Sequence, residues 1–236
     1  MELRIREVAK LFAVPEKRIY EWIKEKGLPA RQISGQHRFN RAELLEWATA
    51  RQVQLSGDIF SDHEDGSAGP LSFADALQAG GIFHEAGVTD RESALRAIVR
   101  NLPLPDDTDR EFLLDMFLAR EALSSTGVGD GIAIPHVRNP VVLHVPKAMI
   151  SLWLLAAPIE FGAVDGKPVH ALFSLISPTV RTHLHMLSRL AFALRDTGFK
   201  AAVTRRSSPE EILKEARRVE TGLAKPTIVA GKEGQR

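Results

Sequence analysis

Apolar side chains recur at helical spacing over the first 50 residues. They predict a first helix near residues 7–12, a second helix that ends at Gly27 and a third that begins at Asn40. Between the second and third helices, residues 30–39 form a candidate hairpin. The pattern therefore predicts helix, turn, helix, hairpin and helix. Its inward-facing positions are Val8, Leu11, Phe12, Ile19, Trp22, Ile23, Leu44, Leu45 and Trp47.

A different pattern begins at Ser72, where near-continuous apolar runs replace the amphipathic ones. Residues 148–156 and 169–176 are almost entirely apolar, which is typical of strands that are buried on both faces. Helical periods flank both runs. The order predicts a layered α/β domain in which helices cover a central mixed sheet.

Capping signals place the helices of this second region. We expect Thr89 to cap a helix that reaches Leu102, with Glu92 placed for a capping box, and Asp106 to open a helix that reaches Arg120. Two more helices are expected, over residues 183–194 and from Pro209 onward.

The two patterns are separated by a segment rich in Ser, Gly and Asp that has no apolar period. Structureless segments of this length are uncommon inside compact domains, which favours a linker over a long surface loop. The predicted divisions are a head over residues 1–52, a linker over 53–70, an α/β domain over 71–221 and a polar tail over 222–236.

Composition narrows the chemistry. The 236 residues are 44% hydrophobic and 26% charged, an ordinary composition for a folded chain. Cysteine is absent, so the chain has no disulfide, no thiolate metal ligand and no cysteine nucleophile. The longest apolar stretch, residues 148–158, is too short to cross a bilayer. We therefore expect a cytoplasmic protein without membrane insertion.

Charge is distributed unevenly although the net charge is +1. The first 51 residues carry 11 Lys and Arg against 7 Asp and Glu, whereas the remainder carries 20 against 23. A basic head on a mildly acidic body predicts that the head is the part that meets a polyanion such as nucleic acid.

The head resembles the excisionase-like branch of the MerR winged helix-turn-helix family at EVAKLF, VPEKRIYEWI, GLPA and HRFNRAELLEW. Ala13 stands where that family usually has Gly, and Pro15 where Ser or Thr is common. The resemblance implies that the second helix enters the major groove of DNA while the hairpin acts as a wing. Tight binding would need a homodimer, since one head neutralises few phosphates.

The residues that the resemblance assigns to DNA contact are Lys17, Arg18, Tyr20, Glu21 and Lys24 on the second helix, and His37 and Arg38 on the wing. Basic residues on a helix more often only solvate its face. The complete winged pattern favours the DNA-binding interpretation here.

Candidate chemistry in the second region centres on residues 124–136. Glycines at 127, 129 and 131 allow close backbone approach and follow three hydroxyl side chains. A short apolar strand and the rigid Pro135 then fix His136 at a strand end. By itself, a histidine after a glycine-rich loop is more often structural than functional.

The segment STGVGDGIAIPH resembles the active-site signature of the fructose, mannitol and nitrogen-regulatory IIA family of the phosphotransferase system. The resemblance continues through AAPIEF, DGKPV, LFSLISP and HLHMLSRLA, over about residues 72–219. It implies that His136 accepts a phosphoryl group from the carrier HPr, assisted by His183 and Arg120. Loop donors are implied at Ser125, Thr126 and Gly127, and no cofactor or metal is implied.

Two details qualify this site. Residues 137–140, Val-Arg-Asn-Pro, replace the Gly-Lys or Thr-Lys that often follows the acceptor, which predicts an altered choice of partner. His185 lies about 200° around a helix from His183, so the two do not form a shared metal site.

Together the two resemblances favour a phosphocarrier regulator that couples phosphorylation to DNA binding. Such a protein is a component of the transferase class with a phosphohistidine intermediate. Two alternatives stay open at this point. One is a IIA component for sugar uptake that serves a IIB domain. The other is a regulator that docks on a kinase or transporter without any role for DNA.

Overall fold

The computed structural model describes residues 2–33, 35–51, 53, 72–106, 108–137 and 145–223. Most of the predicted linker, most of the predicted tail and residues 138–140 after the candidate acceptor lie outside the described residues.

The head contains the helices and hairpin that the sequence pattern predicts, together with an additional strand. Its elements are β1 (Glu2–Arg4), α1 (Ile5–Leu11), α2 (Glu16–Glu25), β2 (Arg31–Ile33), β3 (Gln36–Asn40) and α3 (Arg41–Ala50). The three strands are antiparallel, with β3 in the centre. Strand β1 was not predicted, and it widens the wing into a three-stranded sheet.

Aromatic packing holds the helices of the head together. The ring of Phe12 meets those of Trp22 and Trp47 edge-on, at centroid distances of 5.4 and 5.9 Å. The Trp47 Nε1–H donates to the carbonyl of Lys26, 3.0 Å away, and so ties α3 to the end of α2.

The turn between α1 and α2 contains a strained alanine. Ala13 has a φ of 51°, in the left-handed region where a Cβ clashes with the backbone. We expect Ala13→Gly to stabilise the head by about 0.5 kcal/mol, since relief of the clash exceeds the added chain entropy of glycine. Slower amide hydrogen exchange in α1 would show this. The matched control is Ala97→Gly, within a regular helix. Amide hydrogen exchange in the helix that contains Ala97 should become faster, because glycine weakens a helix interior.

The second region forms one mixed sheet with helices on both faces. Its elements are α4 (Phe73–Gly80), β4 (Ile82–Glu85), α5 (Arg91–Asn101), α6 (Arg110–Leu123), β5 (Gly127–Gly129), β6 (Ile132–Ala133), β7 (Met149–Ile159), β8 (Val169–Ile176), α7 (Val180–Ala193), α8 (Thr197–Thr204) and α9 (Pro209–Leu223). The strand order is β4-β7-β8-β6-β5. Strand β8 pairs antiparallel with β7 and parallel with β6, so the predicted mixed sheet is confirmed.

The sheet is buried on both faces, as the apolar runs predicted. Leu152 and Leu154 of β7 pack with α4, α7, α8 and α9, whereas Trp153 and Leu155 pack with α5 and α6. Alternate side chains of one strand therefore enter two separate cores. Among the described residues, no helix is long and apolar enough to cross a membrane.

Two predicted helix starts were wrong. Asp90, not Thr89, caps α5, because its carboxylate accepts from the Ser93 amide at 2.8 Å while the Ser93 hydroxyl takes the place expected for Glu92. Helix α6 begins after Asp109 rather than at Asp106.

Candidate functional site

His136 is held by the end of the β5–β6 hairpin. It forms an isolated parallel bridge to Leu175 of β8, and the Leu175 amide donates to the carbonyl of Pro135 at 3.3 Å. The His136 Nδ1 lies 2.7 Å from the carbonyl oxygen of Ile134. A carbonyl can only accept, so the proton of neutral His136 is on Nδ1 and the lone pair is on Nε2.

His183 lies beside it, in the first turns of α7. The hydroxyl of Thr179 caps this helix by accepting from the Thr182 amide at 3.1 Å. The ring centroids of His136 and His183 are 5.2 Å apart, with the planes tilted by 46°. Only 4% of His136 and 3% of His183 is exposed to solvent. The strand end therefore fixes the histidine as predicted, but in a buried position.

Arg120, the third residue that the family resemblance assigns to the site, is buried at the end of α6. Its Nη1 donates to the carbonyl oxygen of Ser124 at 2.9 Å. The guanidinium thereby ties the end of the helix to the start of the glycine-rich loop, and it is one of the nine buried polar or charged residues in the described chain.

The neighbouring Glu121 was missed by sequence reasoning. Both of its carboxylate oxygens lie 3.1 Å from the amide nitrogen of Thr126, and Oε2 accepts from the Thr126 hydroxyl at 2.6 Å. Glu121 is 4% exposed, and Arg91 approaches it to 3.8 Å. A carboxylate in the last helical turn before a Ser-Thr loop was the available signal, because it can reach forward to loop amides.

The predicted loop donors are engaged within the loop itself. The Ser125 hydroxyl donates to the carbonyl of Phe161 at 2.8 Å and accepts from the Gly127 amide at 3.0 Å. A Cβ on Gly127 would lie 2.6 Å from the Cα of Ala163, which explains the glycine at this position. In this conformation Ser125, Thr126 and Gly127 support the shape of the loop beside the histidine pair.

A half-buried histidine, His170, leaves no room for a side chain at a second glycine of the hairpin. A Cβ on Gly131, whose φ is +74°, would lie 2.2 Å from the His170 Nδ1. Burial, together with the nearby positive charge of Arg206, lowers the pKa of His170 below its usual range. A neutral His170 ring therefore packs against the hairpin that leads to His136.

We expect Glu121→Gln to weaken the loop because the uncharged amide has one acceptor oxygen in place of two, and its NH₂ group then faces the Thr126 amide donor. Loss of one charge-assisted hydrogen bond should lower the free energy of unfolding by about 2 kcal/mol. Urea unfolding measures this, with Glu111→Gln on the exposed face of the same helix as the matched control. Equal stability of the two variants would contradict the assigned role of Glu121.

The basic face of α2 forms the candidate nucleic-acid interface in the head. Lys17, Tyr20 and Lys24 are exposed and lie within one face of the helix. Tyr20 meets the wing through His37, with ring centroids 5.9 Å apart. Arg18 is turned along the helix, where its Nη1 pairs with a Glu21 carboxylate oxygen at 2.8 Å. The structure thus brings Tyr20 and His37 together and directs Arg18 onto its own helix.

Arg38 lies on the opposite face of the wing from His37, because neighbouring strand residues alternate. It is directly opposite Arg4 on β1 and Arg31 on β2. We call Arg4, Arg38 and Arg31 the arginine row. Like charges in such cross-strand positions repel each other, and Arg31 is compensated by Glu43, whose carboxylate oxygen lies 3.0 Å from the Arg31 Nη2. Arg4 was missed because β1 was not predicted, whereas Arg31 lies within the predicted hairpin but was given no role.

A winged helix-turn-helix head joined to a mixed α/β domain with two paired histidines defines the class of this protein. Residues 75–217 match the family model described as "Phosphoenolpyruvate-dependent sugar phosphotransferase system, EIIA 2", and residues 2–52 match a helix-turn-helix domain model. The chain belongs to this EIIA 2 family. Both resemblances drawn from the sequence are confirmed at this level.

Individual relatives agree with this assignment. The chain is 41% identical over 106 residues to a nitrogen regulatory protein of Pseudomonas aeruginosa, over 44% of this chain and 64% of that protein. It is 39% identical over 88 residues to a fructose-specific EIIA component of Haloferax volcanii, over 36% of this chain and 55% of that protein. The matches thus span less than two thirds of these two curated relatives.

A solved structure is similar to the second region. The nitrogen regulatory protein IIA-Ntr from Neisseria meningitidis superposes with a TM-score of 0.53 and 28% sequence identity. The superposition covers 61% of this chain and 97% of the Neisseria meningitidis chain.

Proposed function

We propose that this protein is a phosphocarrier regulator, which accepts a phosphoryl group on His136 from an HPr-type carrier and couples that event to DNA binding and transcription. The observation that carries the proposal is the 2.7 Å distance between the His136 Nδ1 and the carbonyl oxygen of Ile134. The hydrogen bond from Nδ1 to the Ile134 carbonyl leaves the Nε2 lone pair as the nucleophile, beside His183.

In the proposed transfer, the phosphoryl group moves from a donor imidazole ring to the imidazole ring of His136. The Nε2 lone pair of His136 forms a bond to phosphorus while the bond between phosphorus and the donor nitrogen breaks, and that electron pair returns to the donor ring. No proton has to leave His136, because its proton stays on Nδ1 and remains hydrogen-bonded to the carbonyl of Ile134. This hydrogen bond strengthens as positive charge develops on the ring.

The phosphoryl group brings nearly two negative charges into a buried site, so it needs hydrogen-bond donors. His183 is close enough to direct an N–H toward a group on Nε2, and the buried Arg120 places a permanent positive charge at the start of the glycine-rich loop. The hydrogen bond between Glu121 and Thr126 stabilises the loop, so that the loop is already ordered when the donor binds.

The DNA-binding part of the proposal is supported by the helix-turn-helix match and by two basic surfaces. Lys17 and Lys24 lie on the exposed face of α2, and the arginine row lies on the wing. Phosphate contacts from both surfaces would orient α2 in the major groove. A second head in a homodimer would add the affinity that one head lacks.

Sugar uptake is the main alternative, since one relative is a fructose-specific EIIA component. In that case His136 would pass phosphate to a IIB domain, and the head would have no regulatory role. Docking on a kinase or transporter is the other alternative. The basic, DNA-type head favours the regulator over both.

The proposal is tested by incubating the purified full chain with phosphoenolpyruvate, enzyme I and HPr, followed by intact-mass measurement. We expect one phosphoryl group that is lost in acid, as expected for a phosphohistidine. The same mixture must phosphorylate a known IIA protein as a positive control. A chain that stays unmodified in that active mixture would overturn the proposal.

A further inference from the structure

Helix α3 of the head contacts the second region at the candidate phosphorylation site. It packs against α7 and against β5. Helix α7 carries His183, and β5 begins at Gly127, directly after the loop that Glu121 pins. The head therefore packs on two elements that also contribute to the site.

Leu45 is a fully buried residue of α3. Its neighbours Leu44, Trp47 and Ala48 belong to the described core of the head, and Leu45 does not, although its exposure is 0%. On a helix, Leu45 is rotated by about 100° from Leu44. Outside the head, α3 packs against α7 and β5, and Leu45 is the fully buried position of α3 at which this contact is probed.

This position conflicts with phosphoryl transfer. The phosphorus on a donor must come within about 3–3.5 Å of the acceptor nitrogen and in line with it. His136 and His183 are 96% and 97% inaccessible in the structure. A carrier protein also needs roughly 800 Å² of surface for specific docking, and α3 covers part of α7 and β5, which contribute to the site.

We propose that α3, through Leu45, is an intramolecular cap on the phosphorylation site, so that a docked head and a phosphorylated His136 exclude each other. This inference rests on the proposed function, because it takes His136 as the acceptor. It supplies the coupling that no sequence pattern revealed. Since coupling between two sites is reciprocal, phosphorylation weakens docking by the same factor by which docking disfavours phosphorylation.

The cap does not cover the recognition helix. Lys17, Tyr20 and Lys24 are exposed while α3 is docked. Phosphorylation therefore changes the position and freedom of the head rather than the accessibility of its basic face. Two heads that must occupy fixed half-sites on DNA respond to such a change in position.

Thiol labelling tests the cap directly, because the full chain contains no cysteine. Leu45→Cys places a single thiol in the contact, and Ile33→Cys places one at an exposed site of the wing, where Ile33 is 44% exposed. Before phosphorylation, we expect the Leu45→Cys thiol to be alkylated at least about tenfold more slowly than the Ile33→Cys thiol. After phosphorylation by the phosphoenolpyruvate mixture, the two rates should become similar.

A phosphorylation time course supplies the second test. Leu45→Glu places a charge in the contact without removing a residue of the head core, and Ile33→Glu is the matched control. We expect phosphorylation to be about tenfold faster in Leu45→Glu than in wild type, and unchanged in Ile33→Glu, because an unpaired buried charge disfavours the docked state. Circular dichroism at equal concentration confirms that both variants are folded.

The outcomes separate the two proposals. If all variants accept phosphate at the wild-type rate and the Leu45→Cys thiol is alkylated as fast as the Ile33→Cys thiol, the cap is wrong while the phosphocarrier function stands. If no variant accepts phosphate, the phosphocarrier function is overturned, and mutual exclusion falls with it. A protected Leu45→Cys thiol would then mark a structural contact only.

Discussion

His136→Gln is expected to accept no phosphate from the phosphoenolpyruvate mixture. Glutamine is similar in length and keeps a polar end group near the Ile134 carbonyl, so the β6 strand end should retain its fold. It lacks a nucleophilic ring nitrogen, and a carboxamide does not form the phosphoramidate bond. Intact-mass measurement of the variant beside wild type gives the result directly.

His183→Gln distinguishes an assisting group from an acceptor. It should still take up phosphate, but more slowly by roughly 10- to 100-fold, because one charge-assisted hydrogen bond is worth about 1.5–3 kcal/mol. His185→Gln is the matched control on the same helix, where the His185 Nε2 accepts from Arg189 at 2.7 Å. Phosphate on His136→Gln, or its complete loss in the control, would contradict the assignment of the acceptor.

The central sheet was predictable because its strands are buried on both faces. Residues 148–156 and 169–176 are almost entirely apolar, and the structure places them in β7 and β8. The short strands β1 and β4 were not predicted, since three or four residues carry too little periodicity. Their positions follow from pairing with longer strands.

The candidate site was predictable in its residue types but not in its internal contacts. His136, His183 and Arg120 are assigned by resemblance, and the structure brings the two histidines together. Glu121 was not identified, because its role depends on the bend that returns Thr126 to the helix end. Sequence spacing does not specify such a bend.

Leu45 shows most clearly where sequence reasoning ends. Its helical spacing predicts an inward-facing residue, and it is indeed fully buried. The pattern cannot say which of two surfaces buries it, because amphipathic spacing describes one helix and not its neighbours. The packing of α3 on α7 and β5 is visible only in the structure.

The second large effect is expected in the head, from the double variant Lys17→Gln and Lys24→Gln. These lysines are seven residues apart on α2, hence on one face, and both are exposed. Arg18 is the weaker choice for this test, because it pairs with Glu21 and lies 6.0 Å from the Trp22 ring. Its loss would disturb the helix itself.

Each phosphate contact adds about 0.9 to the slope of log K against log salt, so the double variant should reduce that slope by nearly two. At 0.15 M salt this corresponds to roughly 30-fold weaker binding per head. Fluorescence anisotropy with a random-sequence duplex of about 30 base pairs measures both quantities, since phosphate contacts do not depend on sequence. The control variant, Lys147→Gln with Lys214→Gln, removes the same charge from exposed positions of the second region. If both double variants lose affinity equally, net charge rather than the α2 face governs binding, and the proposed DNA interface is wrong.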